Sequence, residues 1–388
     1  MRVAFLAPDI DLSGFTGDVW HVKDLAIALG RAGCSVDLFV AESAGWIPGG
    51  SVRVRRIPGG SFLSAATALA RMYRKDLPDI IYERRFSPKL SAALARLIGR
   101  PYLVEINGLV DDEMAMQGHV DPAPKLVRAF KASLRGRMLR HSVGLVAVTE
   151  GLRDALIQQY RLPPERITVI PNGVDLRLFT PDSKDAARRM LGIGAAERLL
   201  IFVGNLVVWQ GVATLLLALP IVLQHIDSAK LVVVGDGPER PVLETLSASL
   251  EIEGKVRFAG RVERNLVPVW LHASDVAIMP CTLRSHLKSG SSQLKFREYL
   301  ACGVPVVATN VPGAGPVLER EGVGLGCRGD DPQDLARAIV QLLDSPENLG
   351  AMGRRARAFA ERELSWDRSA AALVGLFQRM TGKLQPDR

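Results

Sequence analysis

Residues Ser289–Asn310 read SGSSQLKFREYLACGVPVVATN, and the rest of the chain is read outward from this stretch. Small residues, Ser289 to Ser292, lead into a helix-forming run from Gln293 to Ala301. Cys302-Gly303 ends that run, and Val304 to Ala308 reads as a buried strand. A Ser/Gly cluster opening a helix offers free N–H groups at the positive end of the helix dipole, a ready site for phosphate. Lys295 and Glu298 stand three apart and therefore share one helix face. A cation beside phosphates and a carboxylate one turn further on, accepting from ribose hydroxyls, would grip a nucleotide. The same spacing also suits a surface helix with an i,i+3 ion pair, and pattern alone leaves both open.

With 388 residues the chain exceeds one compact core and suits two domains, and 48% apolar residues can fill them. No apolar run reaches the roughly 18–20 residues of a membrane span. The opening MRVAFLAPDI reads as a first strand rather than a signal peptide. Four cysteines without C-x-x-C spacing suggest free thiols in a reducing cytoplasm, not a zinc or disulfide framework. The adjacent pairs Asp111-Asp112 and Asp330-Asp331 read as solvated loops, and no metal cluster is visible. The net charge of +8 points to anionic partners without choosing among phosphates, nucleic acid and membrane.

Along the chain, Val3–Ala7, a loop SGFTGDVW, the helical run His21–Arg31 and Val36–Ala41 form a βαβ unit. The loop lacks the G-x-G-x-x-G dinucleotide fingerprint. Strands are expected at Ser51–Arg55, Asp79–Glu83, Tyr102–Ile106, Gly144–Thr149 and Ile167–Ile170. Polar groups fall at their C-terminal ends, where open parallel sheets bind ligands: Arg84, Arg85, Glu105, Asn107, Thr149 and Glu150. The basic run Lys125–His141 carries Leu126, Phe130, Leu134 and Met138 every four residues. We expect an ordinary amphipathic helix with that stripe packed inward, ahead of a membrane-surface helix. The turn cluster Pro171–Asp175 marks a domain boundary, after which strands at Leu199–Val203, Lys230–Gly235, Val256–Ala259, Val276–Pro280 and Val304–Ala308 build a second parallel sheet.

At this point the segments GDVWHVKDLAIALGRAG, PERITVIPNGVDLRLFTP, FVGNLVVWQGVATLLLAL, LVVVGDGPER, VRFAGRV and REYLACGVPVVATN together resemble the retaining glycosyltransferases of family four, the glycogen-synthase-like and mannosyltransferase-like group. The resemblance spans nearly the whole chain. It implies a GT-B fold, α/β with two facing Rossmann-like domains: 1–175 on the acceptor side, 176–364 binding the nucleotide-sugar, and a C-terminal helix, 365–388, crossing back. It implies transfer of a sugar from a nucleotide-sugar donor with retained anomeric configuration, in polysaccharide, glycolipid or other glycoconjugate synthesis. A catalytic metal or cofactor is not expected, nor nucleic acid as a partner. The acceptor is a sugar or a lipid-linked sugar, and the location cytoplasmic, with the inner face of the membrane as a docking surface.

The family's paired glutamates fall on Gly290 and Glu298, so the first of the pair is replaced. Its diphosphate-neutralising basic pair falls on Asn205 and Gln210, both uncharged. The position after the Tyr102–Ile106 strand, often His, is Asn107, which donates and accepts but does not titrate. The resemblance thus assigns donor binding to Gly17, Gly204, Asn205, Gln210, Arg261, Val262, Gly290, Ser291, Ser292, Lys295 and Glu298. Lys295 is expected to replace the missing phosphate cations, with Arg284 and Lys288 as rivals. Asn107 and Lys295 are the catalytic expectations; His21, Arg84 and Glu150 are the acceptor-side ones. The other classes considered are a sugar-nucleotide epimerase of GT-B-like fold and a non-catalytic nucleotide-sugar-binding protein.

Overall fold

The computed structural model describes residues 1–109, 124–283 and 292–382. Two compact units divide the chain: Met1–Gly173 with Trp366–Arg388, and Val174–Ser365. The junctions fall at 173/174 and 365/366 rather than at 175/176 and 364/365. Local bonding gives the reason: Val174 forms an isolated bridge to Ser365, and its N–H donates to the Leu364 carbonyl at 2.8 Å, so both junction residues belong to the second unit.

In the first unit seven strands run in the order β3-β2-β1-β4-β5-β6-β7, every pair parallel. They are β1 (Arg2–Asp11), β2 (Ser35–Glu42), β3 (Val52–Arg56), β4 (Ile80–Arg84), β5 (Tyr102–Ile106), β6 (Gly144–Ala147) and β7 (Ile167–Val169). Val3, Ala4, Phe5 and Leu6 are fully buried on both faces, the signature of a parallel sheet covered by helices on each side. The strand order reverses between β1 and β4, which opens a crevice at their carboxyl ends. The first helix starts at Gly17, four residues before the run read from sequence, and ends at Arg31. The tail helix Trp366–Met380 packs on it, with Trp366 edge-on to His21 at 5.0 Å and Asp367 paired to Arg31 at 2.8 Å.

The second unit holds six parallel strands in the order β10-β9-β8-β11-β12-β13. They are β8 (Arg198–Val203), β9 (Ala229–Val234), β10 (Val256–Gly260), β11 (Val276–Met279), β12 (Val306–Thr309) and β13 (Gly324–Cys327). The strand expected at Val304–Ala308 begins only at Val306, because Pro305 has no N–H to give the ladder. β13, sequence GLGC, escapes propensity reasoning altogether. It forms because its glycines let the chain lie tight on β12: a Cβ at Gly324 would fall 1.8 Å from the Val306 carbonyl oxygen. The order reverses between β8 and β11, so this unit too has a crevice at the carboxyl ends of its central strands.

The basic helix Lys125–His141 corrects an expectation. Its stripe does not pack inward: Leu126 is 85% exposed, Phe130 69% and Leu134 41%. The opposite face is the anchored one. Leu139 is buried, Arg135 lies over the Phe86 ring at 4.4 Å, and Tyr102 donates its hydroxyl to the Met138 carbonyl at 2.6 Å. Gly136 does not break the helix.

Candidate functional site

The quoted stretch forms the helix Leu294–Ala301, and it is not a surface helix. Lys295 through Ala301 are all buried. That removes the reading of a solvated ion pair: Lys295 and Glu298 turn to different partners. The Lys295 ammonium donates to Gln210 Oε1 and lies 4.0 Å from the centroid of the Phe202 ring. Glu298 Oε1 instead pairs with Arg264 Nη1 at 3.2 Å, and Arg264 lies over the Phe179 ring at 5.2 Å.

The Lys295 contacts lie at the end of β8, beside the crevice where the strand order reverses. Tyr299, fully buried, receives the Val203 N–H on its hydroxyl at 2.8 Å and so pins the last residue of β8 to the helix. Gly204 follows with φ +150°, and a Cβ there would stand 3.1 Å from Lys295 Nζ. Gly211 has φ +71°, and a Cβ would come within 1.9 Å of the Pro280 carbonyl oxygen. Only glycine lets this loop close over the ends of β8 and β11. Between the glycines, Asn205 is exposed and Gln210 half-buried.

Burial pushes the Lys295 ammonium down to about 8, with Cys281 and Glu298 acting against the shift. A buried cation held by one neutral amide and an aromatic face would be stabilised by an anion completing its surroundings. At neutral pH it remains charged, and an arriving phosphate would strengthen its hold on the proton.

Gly204, Gln210 and Lys295 are thus brought together, with Glu298 one turn along the same helix. Arg261 is exposed and Val262 half-buried, on the loop that leads from β10 to Arg264. Ser292 is half-buried just before the helix. Gly290, Ser291, Arg284, Lys288 and the Asp111-Asp112 pair lie outside the described residues. Asp331 caps the helix Pro332–Leu343, and Asp330 accepts the Leu283 N–H at 3.2 Å. Among the described residues no group of three or more His, Cys, Asp or Glu side chains could hold a metal ion. No described helix is long and apolar enough to cross a membrane.

In the first unit, His21, Arg84 and Asn107 gather around a side chain that sequence reasoning named only as a strand-end polar group, Glu105. Its Oε1 lies 2.7 Å from His21 Nε2, 2.5 Å from Asn107 Nδ2 and 3.8 Å from Arg84 Nε. Tyr82 donates its hydroxyl to the other oxygen. Glu150 stands apart, exposed and paired to Arg153 at 3.1 Å, and Gly17 is the exposed first residue of its helix. Sequence reasoning missed Arg264 and Tyr299. Nothing in local spacing connects Arg264 to Glu298, 34 residues later. Tyr299 carried one available signal, a phenol in a helix otherwise buried, which must find a polar partner.

Residues 16–178 match the family model described as Glycosyltransferase Family 4, and residues 197–345 the one described as Glycosyl transferases group 1. A D-inositol 3-phosphate glycosyltransferase of Thermobispora bispora is 28% identical, over 92% of this chain and 88% of that protein. Among solved structures, sucrose-phosphate synthase of Thermosynechococcus elongatus superposes with a TM-score of 0.79 at 20% identity, covering 99% of this chain and all of that one. HepE of Anabaena, in complex with UDP-glucose, gives 0.77 at 18% identity, over 98% and 100%.

Proposed function

The chain belongs to glycosyltransferase family 4 and is a nucleotide-sugar-dependent transferase of the GT-B fold, and from that premise we propose that Lys295, rather than a cation on the β8 loop, neutralises the donor diphosphate. The observation that carries this reading is the Lys295–Gln210 contact. The ammonium comes from a different helix, yet its charge arrives where the loop carries the neutral Gln210. The cation is relocated rather than lost. Glu298, fixed by Arg264, accepts the ribose hydroxyls, and the loop at Gly260–Val262 meets the base. As the glycosidic bond breaks, negative charge grows on the leaving diphosphate, and a preorganised ammonium in a water-poor setting stabilises it. The leaving phosphate takes the acceptor's proton on the same face of the sugar, which gives retention and asks only for positioning from the protein.

The test is a panel of nucleotide sugars, UDP-glucose and GDP-mannose among them, scored for nucleotide release with and without phosphorylated and lipid-linked acceptors. Release that depends on donor and acceptor supports the assignment. Binding without release, or an epimerised sugar, would replace it with one of the other classes.

The exposed stripe supports a second element of this reading. Leu126, Phe130 and Leu134 face solvent on a helix that also exposes Arg128 and Arg137. Apolar residues flanked by guanidinium groups suit the headgroup layer of an anionic bilayer, where each basic residue contributes about 1 kcal/mol. That surface would bring the enzyme to a lipid-linked acceptor. Co-sedimentation with anionic vesicles should fall at least several-fold in the F130E variant and at higher salt. Equal binding to neutral and anionic vesicles would remove this element and leave the donor assignment standing.

A further inference from the structure

Glu105 sits in β5 with its side chain buried, and nothing assigned so far gives it a task. Burial alone would raise its carboxyl; His21, Arg84 and the Tyr82 hydroxyl outweigh that and hold it down at about 2. The group is therefore an anion, and an anionic carboxylate can only accept hydrogen bonds. That fact decides the orientation of Asn107. The amide of Asn107 approaches Glu105 Oε1 at 2.5 Å, so its NH₂ must face the carboxylate and its carbonyl must face away. The carbonyl oxygen, Asn107 Oδ1, is itself buried and has no hydrogen-bond partner among the described residues. Buried polar atoms in native proteins are nearly always paired, and an orphan at a strand end asks for a ligand.

We propose that Glu105 is a positioning residue: it locks the Asn107 amide so that Oδ1 stands as a fixed acceptor for a hydroxyl of the sugar substrate. The proposal rests on the transferase reading and adds a group to it. The chemistry of the ligand follows from the atom. A carbonyl oxygen takes a donor, which a sugar hydroxyl is and a phosphate dianion is not. The lock also explains how a residue that cannot titrate serves at this strand end. An unheld amide would flip, presenting NH₂ half of the time and losing the acceptor. Tyr82 and Asn107 donate to the two oxygens of this carboxylate, and His21 Nε2 at 2.7 Å and Arg84 Nε at 3.8 Å stand beside Oε1, so Glu105 is engaged within the protein rather than offered to the substrate itself.

The test is Glu105→Gln, which keeps volume but offers Asn107 either an amide or a carbonyl. Nucleotide release is followed from UDP-glucose or GDP-mannose, whichever the wild-type protein turns over. The expected result is a fall in kcat of tenfold or more with the donor KM within about twofold. In the E105Q/N107D double variant the two groups exchange roles. The amide now at position 105 donates to the carboxylate now at position 107, whose oxygens are acceptors in either orientation. Several-fold recovery of kcat over E105Q is expected there. A purely structural Glu105 predicts no such recovery, and its absence overturns the proposal, as does wild-type kcat in folded E105Q. Should E105Q not fold, N107A carries the test, because it leaves the carboxylate and its other partners in place; wild-type kcat in N107A overturns the proposal. Should wild-type protein turn over neither donor, the transferase reading fails by itself, and the lock is read by NMR. One Asn107 side-chain amide proton should be shifted downfield and protected from exchange, and E105Q should abolish both features. Unchanged Asn107 resonances in E105Q overturn the lock.

Discussion

Lys295→Met separates the cost of a buried charge from its use. Burial takes the ammonium from 10.5 to about 8. At about 1.36 kcal/mol per pKa unit, holding the charge at pH 7 costs the folded chain on the order of 3 kcal/mol. The cation–π contact with Phe202 returns up to about 2 kcal/mol. Methionine keeps most of the stem and its packing, so the ligand-free variant should be more stable than wild type by about 1–3 kcal/mol. For a unit of this size that is a rise in Tm of roughly 2–10 °C. The sign carries a pH signature. Between about 8 and 10.5 the unfolded chain still holds the Lys295 proton and the folded chain has released it. Wild-type stability therefore rises with pH across that window and levels above it, whereas K295M lacks this rise. Function should move the other way. Losing a charged partner of the diphosphate costs about 1.5–3 kcal/mol, roughly 10- to 150-fold in turnover, with donor KM less affected. The assays are calorimetric melting from pH 7 to 10.5 and nucleotide release at saturating donor. A variant that melts below wild type and turns over normally would refute the reasoning at both ends: the ammonium would then be a structural cation, not a phosphate ligand.

Glu298→Ala should weaken nucleotide binding by about 1.5–3 kcal/mol and also removes the carboxylate that Arg264 pairs with, so calorimetric titration with UDP and GDP needs a folded control by melting; unchanged affinity in a folded variant would discard the ribose assignment. Glu83 is buried, with one oxygen receiving the Ser91 N–H at 2.7 Å, and burial lifts its carboxyl from 4.5 to about 7. Between those values the folded chain keeps a proton that the unfolded chain has lost, so stability falls as pH rises, by about 3 kcal/mol at the limit. Glu83→Gln should flatten that fall, and an identical pH profile for the two proteins would show that Glu83 is not its source.

How much was legible in the residues depends on the range of the forces involved. Periodicity located both sheets, the long apolar strands and the helix opened by Ser292, because burial on two faces writes continuous apolar runs into a chain. The need for glycine at 204 and 211 was not legible locally, because it comes from a positive φ and from the close approach of Lys295 and Pro280 in the folded loop. β13 was not visible: Gly324 and Gly326 carry no strand preference, and the strand exists only because β12 lies close enough to reward missing side chains.

The sequence alone determined that Lys295 and Glu298 occupy one helix beside a small-residue loop, and that Asn205 and Gln210 carry no charge. Three residues of spacing invited pairing between the lysine and the glutamate. Tertiary structure decided otherwise. A buried charge takes the partner that folding brings into the same low-dielectric space, and that partner came from 85 residues away for Lys295 and 34 for Glu298. The same reason hid the role of Glu105. Asn107 lies only two residues on, just past the end of the same strand, but His21 and Tyr82 come from the first helix and β4, and only the packing of that helix and the β4–β5 pairing bring them to this carboxylate. Local sequence sets which groups are available; long-range packing sets which of them meet out of water, where an unpaired charge is too costly to persist.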